Sequence, residues 1–560
     1  MQSSLNLVNN PTDEQRRRML KETCENAGRP EDYDYILQYL SPPPEITSIV
    51  PAGALKGVKI GIVGGGLAGL ASAYELRKLG ADITIMEANT DRIGGRVYTY
   101  YYDANGQYYG EYGAYRIPVS HETTWFYINI FGLDTTSLTP PKRNNFYYVH
   151  NVRIRVTDSI EQYIYPKYNL TSEEQNTPWR ALKEYADTYR FLQLTAEERS
   201  QLIRILPEYS PEFLSLTEIS LRQNYEMLGL SQGAIELISG LDPAAGALLN
   251  VSYADIASDD YSFDFVNIFG IQGGMVKLPL AFFDSFKSKN PKGYGSLSQS
   301  QIGSVSYKAG HIVTGIYLSD YKNKIVLKYR NRIDGNDAAD IFDYVICTIP
   351  LTALRTVDIR PRFTNSKIQA IMEQYYTDAM KVSFFCNRRF WERNTDYGNI
   401  IGGISFTDLP IQSILYPPDH NSYLPEASCT SEEPGVLTAS YTLAHNSVRL
   451  GGMYDNLRYE TIRQNVEEVH GLPRGFLSSF VQYHKAVHWN AEPLYRGAFS
   501  LDLPGQKKLF SYELQQPEYN GRLYLAGEHV SAKHGWMQGA LYSAKDTANR
   551  LAMHFFSKYV

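Results

Sequence analysis

VKIGIVGGGLAGLASAYEL, residues 58–76, decides the fold. VKIGIVG is a β-branched apolar run, the pattern of a strand buried on both faces. Gly64, Gly66 and Gly69 follow at the spacing of a turn that admits a pyrophosphate and leads into a helix closed by Gly80. Gly64 permits the tight turn, Gly66 the approach of phosphate to backbone, and Gly69 the close packing of helix on strand. ADITIMEA, residues 81–88, reads as the next strand and sets Glu87 at its carboxyl end, 18 residues after Gly69. An acid at that distance suits ribose hydroxyls and disfavours a 2′-phosphate. A doubly wound sheet without ligand would explain the strands and helix, but three glycines weaken a fold unless something needs the space.

Downstream, RIGGRV (residues 92–97) puts a glycine pair between two arginines, and GAYRIP (residues 113–118) adds a lone Arg116. The wider chain sets the frame. Its 560 residues call for more than one core. A net charge of −6 is unlike a nucleic-acid binder. The four cysteines, Cys24, Cys347, Cys386 and Cys429, show no metal-ligand or disulfide-framework spacing, so no metal is expected. No run reaches the roughly 20 apolar residues of a membrane span, and the N-terminus lacks the apolar core of a signal peptide. A soluble protein is expected, cytoplasmic or secreted by a leader not present here.

PTDEQRRRMLKETCENAG (residues 11–28) and EDYDYILQYL (residues 31–40) read as two helices of an N-terminal arm ended by the proline run SPPP. From 151 to 262 the periodicity is helical, with TAEE (195–198) and SLTE (215–218) resembling capping boxes. Strands and helices alternate again from 263, with DYVICTIP (343–350) as a further buried strand. KVSFFCNRRFWE, NIIGGISFTDLP, SILYPP and GVLTASYTL supply strands of a mixed sheet able to roof a pocket. GRLYLAGEHV and HGWMQGALYSAKDTANRLAMHFF form a closing strand and helix.

The motifs together resemble the flavin-containing amine oxidoreductases, and within them the L-amino-acid oxidase group. The glycine turn, RIGGRV, and LYLAGEHVSAKHGWMQGALYSA (residues 523–544) carry the likeness, with GGMVKLP (273–279) in support. It covers most of residues 56–560. It implies an α/β (α+β overall) two-domain fold: a Rossmann-type FAD domain from 56–118, 263–350 and 486–560, a mixed-sheet substrate domain from 119–150 and 351–485, and a helical insertion at 151–262. The arm, 1–50, is expected to pack on the substrate domain.

The resemblance also implies site residues. FAD would lie on Gly64, Gly66, Gly69 and Gly95, with Arg96 and Arg92 toward the pyrophosphate, Glu87 on ribose and Val305 at adenine. Gly113, Ala114 and Tyr115, then Gly527, Glu528 and Met537, would meet the rest of the cofactor. Trp489 would flank the flavin, or equally pack in the core. Arg116 and Tyr416 would clamp a substrate carboxylate, a fork geometry that guanidinium provides; Arg116 in a structural ion pair is the plainer reading. Trp536 would line the pocket, and the Gly535 carbonyl would accept the substrate amine. Lys381 would hold a water against flavin N5 as a positive charge, unless it is an edge-strand lysine facing solvent. His121 and His534 are candidate bases, the latter with a structural role more in keeping with its place beside Trp536.

The activity implied is oxidative deamination of an L-amino acid by hydride transfer from Cα to flavin N5, giving 2-oxo acid, ammonia and hydrogen peroxide, with dioxygen as acceptor and a homo-oligomeric assembly. An L-amino-acid 2-monooxygenase yielding an amide is the alternative, followed by a flavin-binding protein without turnover. A polyamine oxidase has no use for Arg116, and an NAD dehydrogenase leaves RIGGRV unexplained. Side-chain preference stays open between broad, large and basic. Asp259, Asp260 and Asp264 in ASDDYSFDF are either solvated, the ordinary state of aspartate, or partners for a basic side chain.

Overall fold

A computed structural model describes residues 9–139, 144–320, 323–417 and 431–559. Its centre is a five-stranded parallel sheet in the order Ser304–Lys308, Asp82–Met86, Lys59–Val63, Tyr344–Cys347, Leu523–Leu525. The apolar run of residues 60–63 is buried throughout, as a strand covered on both faces requires. Helix Leu67–Arg77 packs on this sheet with all eleven residues buried, against the closing helix Met537–Tyr559.

Two further sheets flank the first. His311–Ser319, Lys324–Asn331 and Asp337–Phe342 form an antiparallel meander that takes Asp358–Arg360 as a parallel fourth strand. Its apolar face shares a core with Val63, Val345 and Leu525 of the central sheet. The largest sheet has seven strands in the order Val481–His488, Ala379–Cys386, Gly435–Leu443, Ser413–Leu415, Ile404–Thr407, Phe146–Val149, Val152–Arg155. All four expected strands of the roof lie in it. Ala379–Cys386 is an interior strand, paired on both sides, so Lys381 is not an edge lysine.

Helices run from Ile160 to Tyr261. The expected helical stretch opens instead on a strand, because Val152–Arg155 completes a hairpin with Phe146–Val149. TAEE is a capping box, Thr195 with Glu198. SLTE is not: it ends helix Pro211–Thr217, and the next helix is boxed by Ser220 and Gln223. A capping box works only where the backbone is still extended ahead of the helix, and Ser215 is already helical.

The arm forms helices Asp13–Asn26 and Asp32–Leu40, the first capped reciprocally by Thr12 and Gln15. It spreads beyond the half expected to receive it. Arg16 and Arg17 reach Glu122, while Asp32 pairs with Arg199 of the helical stretch. Leu40 O accepts from Gln538 of the closing helix, and Glu45 bridges Lys78 and Lys545. Cys24, Cys347 and Cys386 are buried free thiols; Cys429 lies outside the described residues. No helix among the described residues is long and apolar enough to cross a membrane.

Candidate active site

The carboxyl ends of the central strands open into a cavity of about 390 Å³ that runs on beneath the seven-stranded sheet. Its first end is a backbone cradle. Helix Leu67–Arg77 begins at Gly66 with no side-chain cap, leaving its first N–H groups for an anion. Gly69 lies so close to the turn that a Cβ there would sit 2.0 Å from Gly64 O. Glu87 accepts from the N–H of Gly65 at 2.6 Å and of Asn89 at 2.7 Å, which ties the acid to the turn.

The same wall carries Gly64, Gly66, Gly95, Arg96, Gly527 and Glu528. Arg96 donates to Glu528 at 2.8 Å and to Ala498 O at 2.9 Å. Burial pushes the Glu528 carboxyl up, but Arg96 outweighs it and the net shift is downward. Met537 and Trp536 also line the cavity, so the closing helix aims its positive N-terminal end at it.

Four expected contacts fall outside this cavity. Gly69 acts one layer behind, through packing. Arg92 is held by the hydroxyl of Tyr495 at 2.6 Å, by Gly95 O, and over the Tyr98 ring, so its charge serves the loop. Val305 pairs with Ile83 near the start of its strand, whereas the wall is formed beyond the strand's end by His311, Ile312 and Val313. Tyr416 is the fourth, and its hydroxyl is already committed. His470 Nδ1 lies 2.6 Å from Tyr397 O and must donate to it, so Nε2 is the acceptor for Tyr416 at 2.9 Å. Burial lowers that imidazole to about 4, which keeps it neutral. Ser405 supplies the third member of this buried chain at 2.9 Å.

The second end of the cavity is walled by Tyr115, Arg116, Lys381, Tyr441, Phe265, Gly535 and Trp536. Gly113 makes the bend that brings Arg116 there; a Cβ on it would fall 1.7 Å from Arg96 O. Arg116 lies over the Tyr115 ring at 4.5 Å. It forms no ion pair among the described residues, and its buried Nε has no hydrogen-bond partner. Lys381 donates to Gly113 O at 2.7 Å and sits between the rings of Tyr115 and Tyr441, at 4.4 and 4.7 Å. Burial brings its ammonium down to about 7, helped by Arg116 and opposed by Glu111. The expected fixed positive charge is therefore a group that titrates near neutrality.

Tyr441 was not legible as a site residue. It stands directly across from Lys381 in the sheet register, and Arg116 draws down a phenol that burial raises. It lines the same wall as Arg116, while Tyr416 lines a neighbouring cavity with Arg116, Tyr115 and Lys381 but turns its hydroxyl to His470 and Ser405. Trp489 lines the cavity, and its indole donates to Tyr112 O at 2.9 Å within a buried aromatic cluster.

Two histidines flank this end. His534 lines the cavity with Nδ1 3.0 Å from Asp255. Burial lowers it, but Asp255 and Asp502 overcome that and raise it to about 9. An imidazolium so held is no ready base. His121 meets Trp536 edge-on at 4.9 Å and lies 3.2 Å from Asp264. The three aspartates are not freely solvated. Asp264 is fully buried, Asp259 holds Lys533 at 2.7 Å and the Trp536 indole at 3.0 Å, and burial raises Asp260 to about 7.

Fold and cradle define a dinucleotide-dependent protein with a second chamber beyond the cofactor. The chain belongs to the flavin-containing amine oxidoreductase family, whose sequence profile matches residues 67–552. It is an oxidoreductase of CH–NH2 groups, and the uncapped helix, the glycine turn and Glu87 at the end of the second strand fit FAD. Among curated relatives, L-amino acid oxidase bordonein-L of Crotalus durissus terrificus is 27% identical over 87% of this chain and 85% of its own. The L-amino-acid oxidase of Sistrurus catenatus edwardsii is 28% identical over 88% and 86%. Cyclohexylamine oxidase from Brevibacterium oxydans IH-35A superposes with a TM-score of 0.63 at 17% identity, over 89% of this chain and 99% of that one. A putrescine oxidase bound to putrescine gives 0.62 at 17%, over 88% and 98%.

Proposed function

We propose that the protein is an L-amino-acid oxidase, converting an L-amino acid, water and dioxygen to a 2-oxo acid, ammonia and hydrogen peroxide. One observation carries the reading: Arg116, at the second end of the cavity, has a buried Nε without a hydrogen-bond partner and forms no ion pair among the described residues. A guanidinium left so is costly unless a ligand completes it, and a carboxylate matches its two parallel donors. An amine substrate lacking a carboxylate would leave that cost unmet. The curated relatives named as L-amino-acid oxidases agree with this choice.

Bound FAD supplies the two-electron acceptor and the route to dioxygen. The chain's own residues do the positioning. Arg116, with the Tyr441 hydroxyl beside it, fixes the carboxylate and so the direction of the Cα–H bond. The Gly535 carbonyl accepts from the substrate amine, and Trp536, Tyr115 and Phe265 exclude water from the chamber. Lys381 stands over Gly113 between two rings, where it can hold a water or a proton.

The test is Arg116→Ala with the flavin spectrum recorded alongside. Turnover of L-amino acids should fall roughly 100- to 1,000-fold, as for a truncated buried charge pair, while the yellow flavoprotein persists. Near-normal peroxide production by the variant would overturn the proposal.

A further inference from the structure

We infer that Asp259 selects L-amino acids with a cationic side chain, meeting that charge where the cavity borders the helical segment. This deepens the amino-acid reading above and rests on it.

Four acids line the cavity among the described residues, and three are already answered. Glu87 is held by backbone N–H groups, Glu528 by Arg96, and Asp255 by His534. Asp259 is different because it shares its cation. Lys533 Nζ lies 2.7 Å from Asp259 and 2.5 Å from Asp264, so two carboxylates divide one ammonium. Asp264 has the better claim. It is fully buried, receives the hydroxyls of Ser120 at 3.2 Å and Ser262 at 2.8 Å, and is held well below the carboxylate range: burial works against ionisation, but Lys533 prevails. His121 does not make up the difference, since burial drives its imidazole below its ordinary value.

The shortfall rests on Asp259, whose side chain is 26% exposed where Asp264 and Lys533 are 0% and 3%. Burial raises it to about 8, with Lys533 opposing and Asp264 adding to the rise. A proton or an incoming cation relieves the same deficit. The second, independent sign of a ligand is Arg116 in the same cavity with its unpartnered Nε. The two ends are joined by aromatic contacts: Arg116 lies 5.7 Å from the Phe265 ring, Phe265 5.7 Å from Trp536, and Trp536 bonds Asp259. Such a wall suits the methylene stem of lysine, ornithine or arginine, with the charge delivered at its end.

The experiment compares kcat/KM of the holoenzyme for L-lysine, L-ornithine and L-arginine with L-leucine, L-methionine and L-6-hydroxynorleucine, the last a neutral isostere of lysine. The cationic substrates should lead. Asp259→Asn should lower the lysine-to-leucine ratio at least ~30-fold, and Asp259→Glu should keep the preference. An equal loss on every substrate would mark Asp259 as a prop for Trp536 and Lys533 and overturn the inference, as would a wild type that prefers leucine. Should the Asn variant not fold, lysine against hydroxynorleucine on the wild type decides, and equal rates refute. Oxidation of apolar amino acids alone removes this inference and leaves the amino-acid reading standing. Failure of every amino acid to bleach the flavin removes both.

Discussion

The two ends of the cavity are built in opposite ways. At the cofactor end the parts are satisfied among themselves, whether near in sequence or far: Glu87 is tied to the turn that begins at Gly64, and Arg96 is neutralised by Glu528 from the far end of the chain. At the second end, which we assign to the substrate, the parts come from distant stretches and their charges are incompletely paired: Arg116 forms no ion pair among the described residues, Lys381 is stripped of much of its proton affinity, and Asp259 shares a cation. A cradle for a resident group can be finished during folding. A chamber that must accept and release substrates keeps its charges incomplete until one arrives.

The cofactor end should break completely under a single substitution. A Cβ at position 69 would lie 2.0 Å from a backbone oxygen that has no freedom to move. Gly69→Val should therefore yield protein without bound flavin, mostly insoluble, as read by the ratio of flavin to protein absorbance after purification. Recovery of a yellow, soluble variant would show that the helix and turn are not in contact as described.

At the substrate end Lys381 tests whether incomplete charge serves chemistry. Its neighbours are Gly113 O, the rings of Tyr115 and Tyr441, and the charges of Glu111 and Arg116. With its value near 7, the ammonium form dominates below neutrality and the amine above. The oxygen-dependent half-reaction in wild type should thus slow as pH rises through about 7. Lys381→Met should slow that half-reaction about 100-fold, abolish the pH step, and affect anaerobic reduction by substrate less. Stopped-flow traces in which both half-reactions fall together would remove Lys381 from the oxygen step.

His534 contrasts with Lys381, being a cavity-lining cation that is fully paired. Its folded value of about 9 lies above the ordinary 6.5. A raised value stabilises the fold in full below 6.5 and loses that contribution as pH climbs through 9. His534→Gln keeps a polar side chain but cannot titrate. Its deficit in unfolding free energy relative to wild type should be largest near pH 6, of the order of 2–3 kcal/mol, and should narrow by pH 9.5. A deficit independent of pH would show that Asp255 and Asp502 do not hold an imidazolium.

The contrast between the ends also explains what could be read from residues alone. Strand, glycine turn, helix and ribose acid follow one another in residues 58–87, and each has a local physical signature. Arg116 was legible because it lies in the same continuous stretch. Tyr441 was not, since its place depends on pairing with Lys381 across strands 60 residues apart in sequence. The aspartates misled for a related reason: exposure is the usual state of the residue type, and only the fold reveals that Lys533 comes back to meet them. Val305 lies near the start of its strand, whereas the cavity wall begins only after the carboxyl end.

The finest test sets the two tyrosines against each other. Tyr441 shares the chamber with Arg116, and its hydroxyl is the one placed to reinforce a carboxylate there. A hydrogen bond to a charged group is worth about 1.5–3 kcal/mol, so Tyr441→Phe should lower kcat/KM roughly 10- to 100-fold, with KM carrying much of the change. Tyr416 donates to His470 and receives from Ser405, so its proton is unavailable to a substrate. Tyr416→Phe should leave kcat/KM near wild type while costing about 1–2 kcal/mol of stability, because His470 Nε2 loses its buried donor. If the two variants exchanged behaviours, Tyr416 reaching the substrate and Tyr441 only the core, the seven-stranded sheet would have to present its opposite face to the chamber. A one-residue slip in the register of Gly435–Leu443 against Ala379–Cys386 would do that, by turning Tyr441 away from Lys381.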